Sequence, residues 1–251
     1  MVQFRFGADV VTVNMADWAS LSASVRQRFA ARRGFSLATI NLDHLVKLRG
    51  DAAFRKAYAA QDFVVADGNP IRWLARVAGR PVSLLPGSDL VVPLCKLAAD
   101  QGIGVALIGS TDAALEEART ALESKVRGLD VRFCHAPSFG FDPSGEEAEA
   151  ILEQLADSGA RLCLLALGAP RQEQFAAEGR EKAPAVGFVS VGAGLDFLGG
   201  RQRRAPAWVR AVALEWLWRA LQSPARLGPR YAKCAAILPA QLWQAVRLRF
   251  G

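Results

Sequence analysis

Short apolar segments recur along this chain, each followed by a turn and then by a stretch with helical spacing. That alternation limits the fold more than any other feature. Residues 35–41 (FSLATIN), 62–66 (DFVVA), 103–109 (IGVALIG), 131–135, 161–167 (RLCLLAL) and 186–191 read as strands. Most are continuously apolar rather than alternating, as strands covered on both faces are. Helices are expected over 42–49, 52–60, 71–78, 90–99, about 112–125, 144–158 and up to about 182. Ahead of them, residues 3–14 suggest one or two short strands. Residues 17–32 follow as a helix with Trp18, Leu21, Val25 and Phe29 on one face. The fold class is therefore α/β, Rossmann-like: a mostly parallel sheet with helices on both faces. The 251 residues, 51% hydrophobic and 22% charged, suffice for one such domain and an appendage. The expected division is a catalytic body over 1–204 and a helical C-terminal appendage over 205–251.

The pivotal stretch is DFVVADGNP, residues 62–70. Gly68 permits a tight turn with positive φ. Asn69 and Pro70 suit the N-cap and first position of a helix. A carboxylate at the end of a strand in such a sheet faces the place where these folds hold ligands, which makes Asp67 the candidate reactive group. Taken alone, the same residue also fits a turn cap. The neighbouring strand ends in Thr39-Ile40-Asn41, and alternation puts Thr39 and Asn41 on one side. A hydroxyl, an amide and a carboxylate could grip a hydroxylated ligand, and the carboxylate could take its proton.

Three other strands end in glycine turns: Gly109-Ser110-Thr111, Gly168-Ala169-Pro170 and Gly192-Ala193-Gly194. Glycine lets backbone approach a phosphate or sugar closely, and exposed helix N–H groups favour an anion. Arg171-Gln172-Glu173 adds a cation, an amide and a second carboxylate above one of these ends; a carboxylate there also suits the helix dipole. No cofactor or metal is called for by any visible motif. GxGxxG, Walker A and DxD are all missing, and His44 and His135 are far apart. The four widely spaced cysteines suit reduced, packed thiols of a cytoplasmic protein, and no signal peptide is expected.

The net charge of +7 is concentrated at one end. From Arg201 onward ten cations face one anion, which is +9, leaving −2 for residues 1–200. Four of the six tryptophans lie in the same tail. Residues 206–221 read as a Trp-rich helix broken at Ser223-Pro224, and 229–250 as a second basic helix kinked at Pro239. Its longest uncharged run, 234–246, falls short of the roughly 20 residues needed to span a bilayer. Interleaved cations and bulky apolar residues suit a helix lying on an anionic membrane surface. A helical hairpin packed on the body is an equal and compatible reading. The apolar faces could equally bury against a second copy in a homo-oligomer.

Several motifs occur in order: T-x-N (Thr39, Asn41), A-D-G (66–68), P-G-S-D-L (86–90), G-A-P-R-Q-E (168–173), V-G-A-G-L-D-F (191–197), G-x-x-x-R-A-P (200–206) and L-E-W-L-W-R (214–219). Over residues 35–231 the set resembles the WecG/TagA/CpsF family of bacterial glycosyltransferases. Ala66, Phe175 and Ser223 stand where that family usually has Pro, Trp and Glu. The resemblance implies an inverting transferase attached peripherally to the inner face of the cell membrane. Such an enzyme moves a sugar from a UDP-sugar donor onto a polyprenyl-diphosphate-linked acceptor in surface polysaccharide synthesis. It implies Asp67 as general base, with Thr39 and Asn41 placing the sugars. Gly109, Gly168 and Gln172 would line the nucleotide pocket, and Arg219, Arg226 and Arg230 would face the diphosphate. N-acetylmannosamine, its uronic acid and glucose all fit as the transferred sugar.

Two other classes compete. A non-catalytic nucleic-acid- or membrane-binding protein would use the basic tail, but the apolar interleaving and the slightly acidic body count against nucleic acid. A nucleotide-sugar epimerase or dehydrogenase would want GxGxxG after its first strand and a Y-x-x-x-K pair; Tyr58 and Tyr231 lie in no such setting.

Overall fold

The computed structural model describes residues 1–200, 205–206, 209, 217–218, 221 and 224–250, with the side chains of Pro224 and Arg226 excepted. The expected α/β architecture is present. Six strands form one parallel sheet: β3 (Phe35–Ile40), β4 (Phe63–Ala66), β5 (Val105–Gly109), β6 (Val131–His135), β7 (Leu162–Ala166) and β8 (Gly187–Ser190). Their order across the sheet is β4-β3-β8-β7-β5-β6. A separate antiparallel hairpin, β1 (Val2–Phe6) with β2 (Asp9–Val13), precedes them.

The helices are α1 (Trp18–Ala30), α2 (Leu42–Gly50), α3 (Ala52–Ala59), α4 (Asn69–Val77), α5 (Gly87–Asp100), α6 (Asp112–Lys125), α7 (Glu146–Asp157), α8 (Arg171–Lys182), α9 (Gly194–Leu198) and α10 (Pro224–Phe250). Side-chain alternation sorts the sheet residues between two layers. Leu37, Val65, Val105, Leu107, Leu164 and Val189 pack against α1, α5 and α6. On the other face, Ala38, Ile40, Val64 and Ala66 meet α2, α3 and α4. Ala106, Ile108, Cys163, Leu165 and Phe188 meet α7 and α8. Burial on both faces explains why the strands read as unbroken apolar runs. At the amino end of the sheet Asp62 ties three elements: it accepts from Arg28 (2.8 Å), Arg180 (3.0 Å) and the Ser36 N–H (2.9 Å).

Three boundaries differ from expectation. Gly68, at φ 92°, is itself the cap of α4, so Asn69 lies inside the helix rather than capping it. Helix α5 starts at Gly87, not at residue 90, because Pro86 already sets a helix-entry backbone and Asp89 falls within the first turn. The last helix begins at Pro224 rather than 229. Pro229 and Pro239 are both inside it.

Candidate active site at the carboxyl ends of the strands

After β3 the chain turns to β4 at one edge, whereas after β8 it crosses to α9, which packs on α5 and α6. After β5 it runs to the β6 edge, and after β7 back towards β8. Such divergences, at the carboxyl ends of the strands, are where α/β sheets hold ligands. The candidates of the sheet body, between Thr39 and Glu173, follow the strand ends along this rim.

Asp67 follows β4 directly. Its N–H donates to the Ile40 carbonyl at 2.8 Å, continuing the parallel register by one residue. The residue is half-buried, and Asn41 donates from Nδ2 to Oδ2 of Asp67 at 3.2 Å. Asn41 also caps α2 by accepting from the His44 N–H at 3.0 Å. One amide thus fixes both a helix start and the carboxylate. Thr39 is 4% exposed, and its carbonyl accepts from the Tyr58 hydroxyl at 2.9 Å. Tyr58 has a single O–H, spent on Thr39. The 2.7 Å contact to His44 Nδ1 must therefore be an imidazole N–H donating to the tyrosine oxygen. Burial, then the charge of Lys47, pushes His44 down to about 3, so the ring is neutral. Burial, with help from Glu173 and Asp67, holds the Tyr58 hydroxyl well above its usual range.

The glycine turns form the other half of the rim. Gly109 has φ 120°, and a Cβ there would lie 2.5 Å from the Ala166 backbone. Only glycine lets β5 and β7 end this close together. Ser110, with φ 54°, donates its hydroxyl to Asp196 of α9 at 2.7 Å. Gly168 is exposed at φ 71°, and the space where its Cβ would stand is open. Ala169 and Pro170 are joined by a cis peptide and are half-buried, and Arg171 is exposed.

Gln172 and Glu173 turn inward instead. Gln172 is 2% exposed: it donates to Glu173 Oε1 at 2.8 Å and accepts from the Gly192 N–H at 3.2 Å. This staples the β7–α8 turn to the β8–α9 turn. Glu173 is fully buried with Oε2 unpartnered, and burial pushes its carboxyl up to about 8 despite the Gln172 bond. At neutral pH it is mostly the uncharged acid.

Of the three arginines expected to face a diphosphate, Arg219 and the side chain of Arg226 lie outside the described residues. Arg230 of α10 pairs with Asp43 of α2 (Nε to Oδ1, 2.9 Å). Asp43 pairs in turn with Lys47 (3.1 Å), and Lys47 donates to the Ala169 carbonyl at 3.0 Å. A chain of charges therefore runs from the C-terminal helix across α2 to the Ala169 turn. Sequence reasoning missed Asp43, Lys47 and the buried Tyr58–His44 pair. The i,i+4 acid–base spacing of Asp43 and Lys47, directly after Asn41, was the available signal.

Neighbouring strands lie about 4.8 Å apart, so four spacings separate Asp67 from Gly109 by roughly 19 Å. A doubly wound sheet with a carboxylate at one end of such a rim and glycine turns at the other is the architecture of a nucleotide- or sugar-handling α/β enzyme. The model of the WecG/TagA/CpsF glycosyl transferase family matches residues 8–251, and the chain belongs to that family. It is a glycosyltransferase of cell-surface polysaccharide biosynthesis.

Proposed function

We propose that the enzyme transfers a hexosyl group from a UDP-sugar to a hydroxyl of a polyprenyl-diphosphate-linked saccharide, with inversion at the anomeric carbon. N-acetylmannosamine, its uronic acid and glucose remain the candidate sugars. Asp67 is the general base. It accepts the proton of the acceptor hydroxyl as that oxygen attacks the anomeric carbon and the bond to UDP breaks. The observation that carries this reading is the setting of Asp67: half-buried directly after the strand end and held by the Asn41 amide, beside Thr39 and the α2 N-terminus.

The rest of the rim supports the roles assigned to it. Thr39 and Asn41 place the sugars beside Asp67. Gly109, Ser110, Gly168, Ala169, Pro170, Arg171, Gln172 and Glu173 form the nucleotide-sugar end, Glu173 from behind through Gln172. The roughly 19 Å span accommodates a long donor with its acceptor. Arg219, Arg226 and Arg230 offset the charge of the departing diphosphate, which a preorganised cation does without reorganisation. For Arg230 this requires exchange of its Asp43 partner for phosphate.

The appendage over 205–251 brings the enzyme to the inner face of the membrane. No helix among the described residues is long and apolar enough to cross a bilayer. The inner face of α10 packs Cys234, Ile237 and Ala245 against the body, while Leu242 (47% exposed), Trp243 (59%) and Phe250 (79%) face outward beside Arg247 and Arg249. That composition suits an interfacial helix.

The test is Asp67→Asn, assayed by UDP release with a short-chain lipid-diphosphate acceptor. Turnover should fall ~10²–10⁴-fold with UDP-sugar binding retained. Turnover at the wild-type rate would remove Asp67 from the base role.

A further inference from the structure

A second, strongly basic cavity lies away from the rim. It is open to solvent, has a volume of about 390 Å³, and is bordered by the β1–β2 hairpin, the C-terminal end of α2, α3 and the middle of α10. Arg5, Phe6, Arg49, Arg55, Gln241 and Gln244 line it. Helix α2 runs from Asn41 at the rim to Gly50, so the cavity sits about 13 Å from the rim at the other end of that helix.

Three guanidinium groups line this space, and none of its lining residues is acidic. Arg55 is fixed by Asp9 (2.6 Å) and by the Leu48 carbonyl (2.7 Å). Arg5 and Arg49 have no carboxylate partner among the described residues. Like charges gathered around one cavity repel until an anion joins them.

The floor points the same way. Cys234, Ile237, Gln241 and Ala245 form the inward stripe of α10, and at 4% exposure Gln241 is as buried as its apolar neighbours. The Oε1 atoms of Gln241 and Gln244 have no partner. Burying an amide oxygen without a hydrogen bond is costly. Each of these side chains also carries an NH₂ donor. Three arginines and two amides form a donor set for phosphate oxygens, and the volume falls in the range of small-molecule sites rather than of a bare ion.

We propose that this cavity binds the phosphate group of a phosphorylated organic molecule, at a site separate from the sheet rim. Its walls come from both the body and α10, so the ligand clamps the C-terminal helix onto the body. Occupancy stabilises the docked arrangement by mass action. Nothing in this assignment depends on the role of Asp67.

A soluble phosphorylated metabolite and a phospholipid headgroup offer the same chemistry. The experiment separates them. Full-length protein, with saturating UDP to fill the rim, is titrated with glycerol 3-phosphate and, separately, with phosphatidylglycerol or phosphatidylcholine vesicles. The comparison variant is Arg5→Gln/Arg49→Gln, both exposed positions whose loss leaves the core intact. Unliganded, it should melt no lower than wild type, because repulsion is relieved. One probe should bind the wild type, with affinity reduced about tenfold or more in the variant and UDP binding unchanged. Gln244→Leu should weaken the same binding. A response to glycerol 3-phosphate identifies a soluble ligand. An arginine-dependent response to phosphatidylglycerol vesicles alone identifies a headgroup. No response to either probe, or identical titrations for wild type and variant, overturns the site.

Discussion

Asp67 and Glu173 both lie close enough to Tyr58 to raise its pKa, yet their surroundings differ. Asp67 is half-buried and tied to an amide, whereas Glu173 is sealed from solvent with one oxygen unpartnered. Burial favours the neutral form of Glu173, so its folded pKa of about 8 lies above the unfolded value of roughly 4.3. The stability it contributes is complete below the unfolded value and is lost as pH climbs towards 8. Glu173→Gln keeps an acceptor for Gln172 and cannot ionise. Its melting temperature should therefore decline less than that of wild type between pH 5 and pH 8.5, a difference of several degrees in a thermal melt. His44 has the opposite sign. Its folded value of about 3 is below the unfolded 6.5, so its contribution is present above pH 6.5 and lost as pH falls.

At the level of elements, the glycine turns divide into two kinds. Gly109 is glycine because two strand ends meet there: a methyl group would strike the Ala166 backbone at 2.5 Å, in addition to the strain of φ 120°. Gly109→Ala should cost at least ~2 kcal/mol in urea melts. Gly168 needs positive φ but has open space beside it. Gly168→Ala should cost only ~1 kcal/mol, the left-handed backbone penalty, while placing a methyl group in the open space beside the turn. Any larger loss of UDP-sugar affinity than of stability in that variant then reads out the proximity of bound nucleotide. The N-terminus of α2 is a third case, since Asn41, Asp43 and Lys47 connect one helix start to Asp67, Arg230 and Ala169.

On the scale of the whole molecule, α10 has two faces with different work. Its inner face completes the core over α2 and α4, and its outer face carries Leu242, Trp243 and Phe250. Replacing all three outward residues by Ser should abolish co-sedimentation with anionic vesicles and leave the thermal melt unchanged, because none of them supports the core. Deletion after Arg204 should act differently. It uncovers the apolar surface of α2 and α4 and removes the arginines proposed to offset the diphosphate charge, so transferase activity should disappear, which the UDP-release assay measures.

The sheet, its two covered faces and most helix positions were legible in the chain itself. Unbroken apolar strands and 3.6-residue spacing are local patterns that follow from backbone geometry. So were the strand-end positions of Asp67, Thr39, Asn41 and the glycine turns, because strand ends and positive-φ turns carry their own residue signatures. The helix cap at Gly68 rather than Asn69 goes with a positive φ that only the folded backbone shows. Other facts needed the folded chain. The sequence holds Glu173 and Gln172 side by side, but only the packing of α8 against α3 and β8 seals the acid and turns the amide onto Gly192. The pairing of Arg230 with Asp43 joins residues 187 positions apart. The basic cavity draws Arg5, Arg49, Arg55 and Gln244 from four elements. Burial, pKa shifts and charge clustering depend on distances through space, and no periodicity along a chain encodes those.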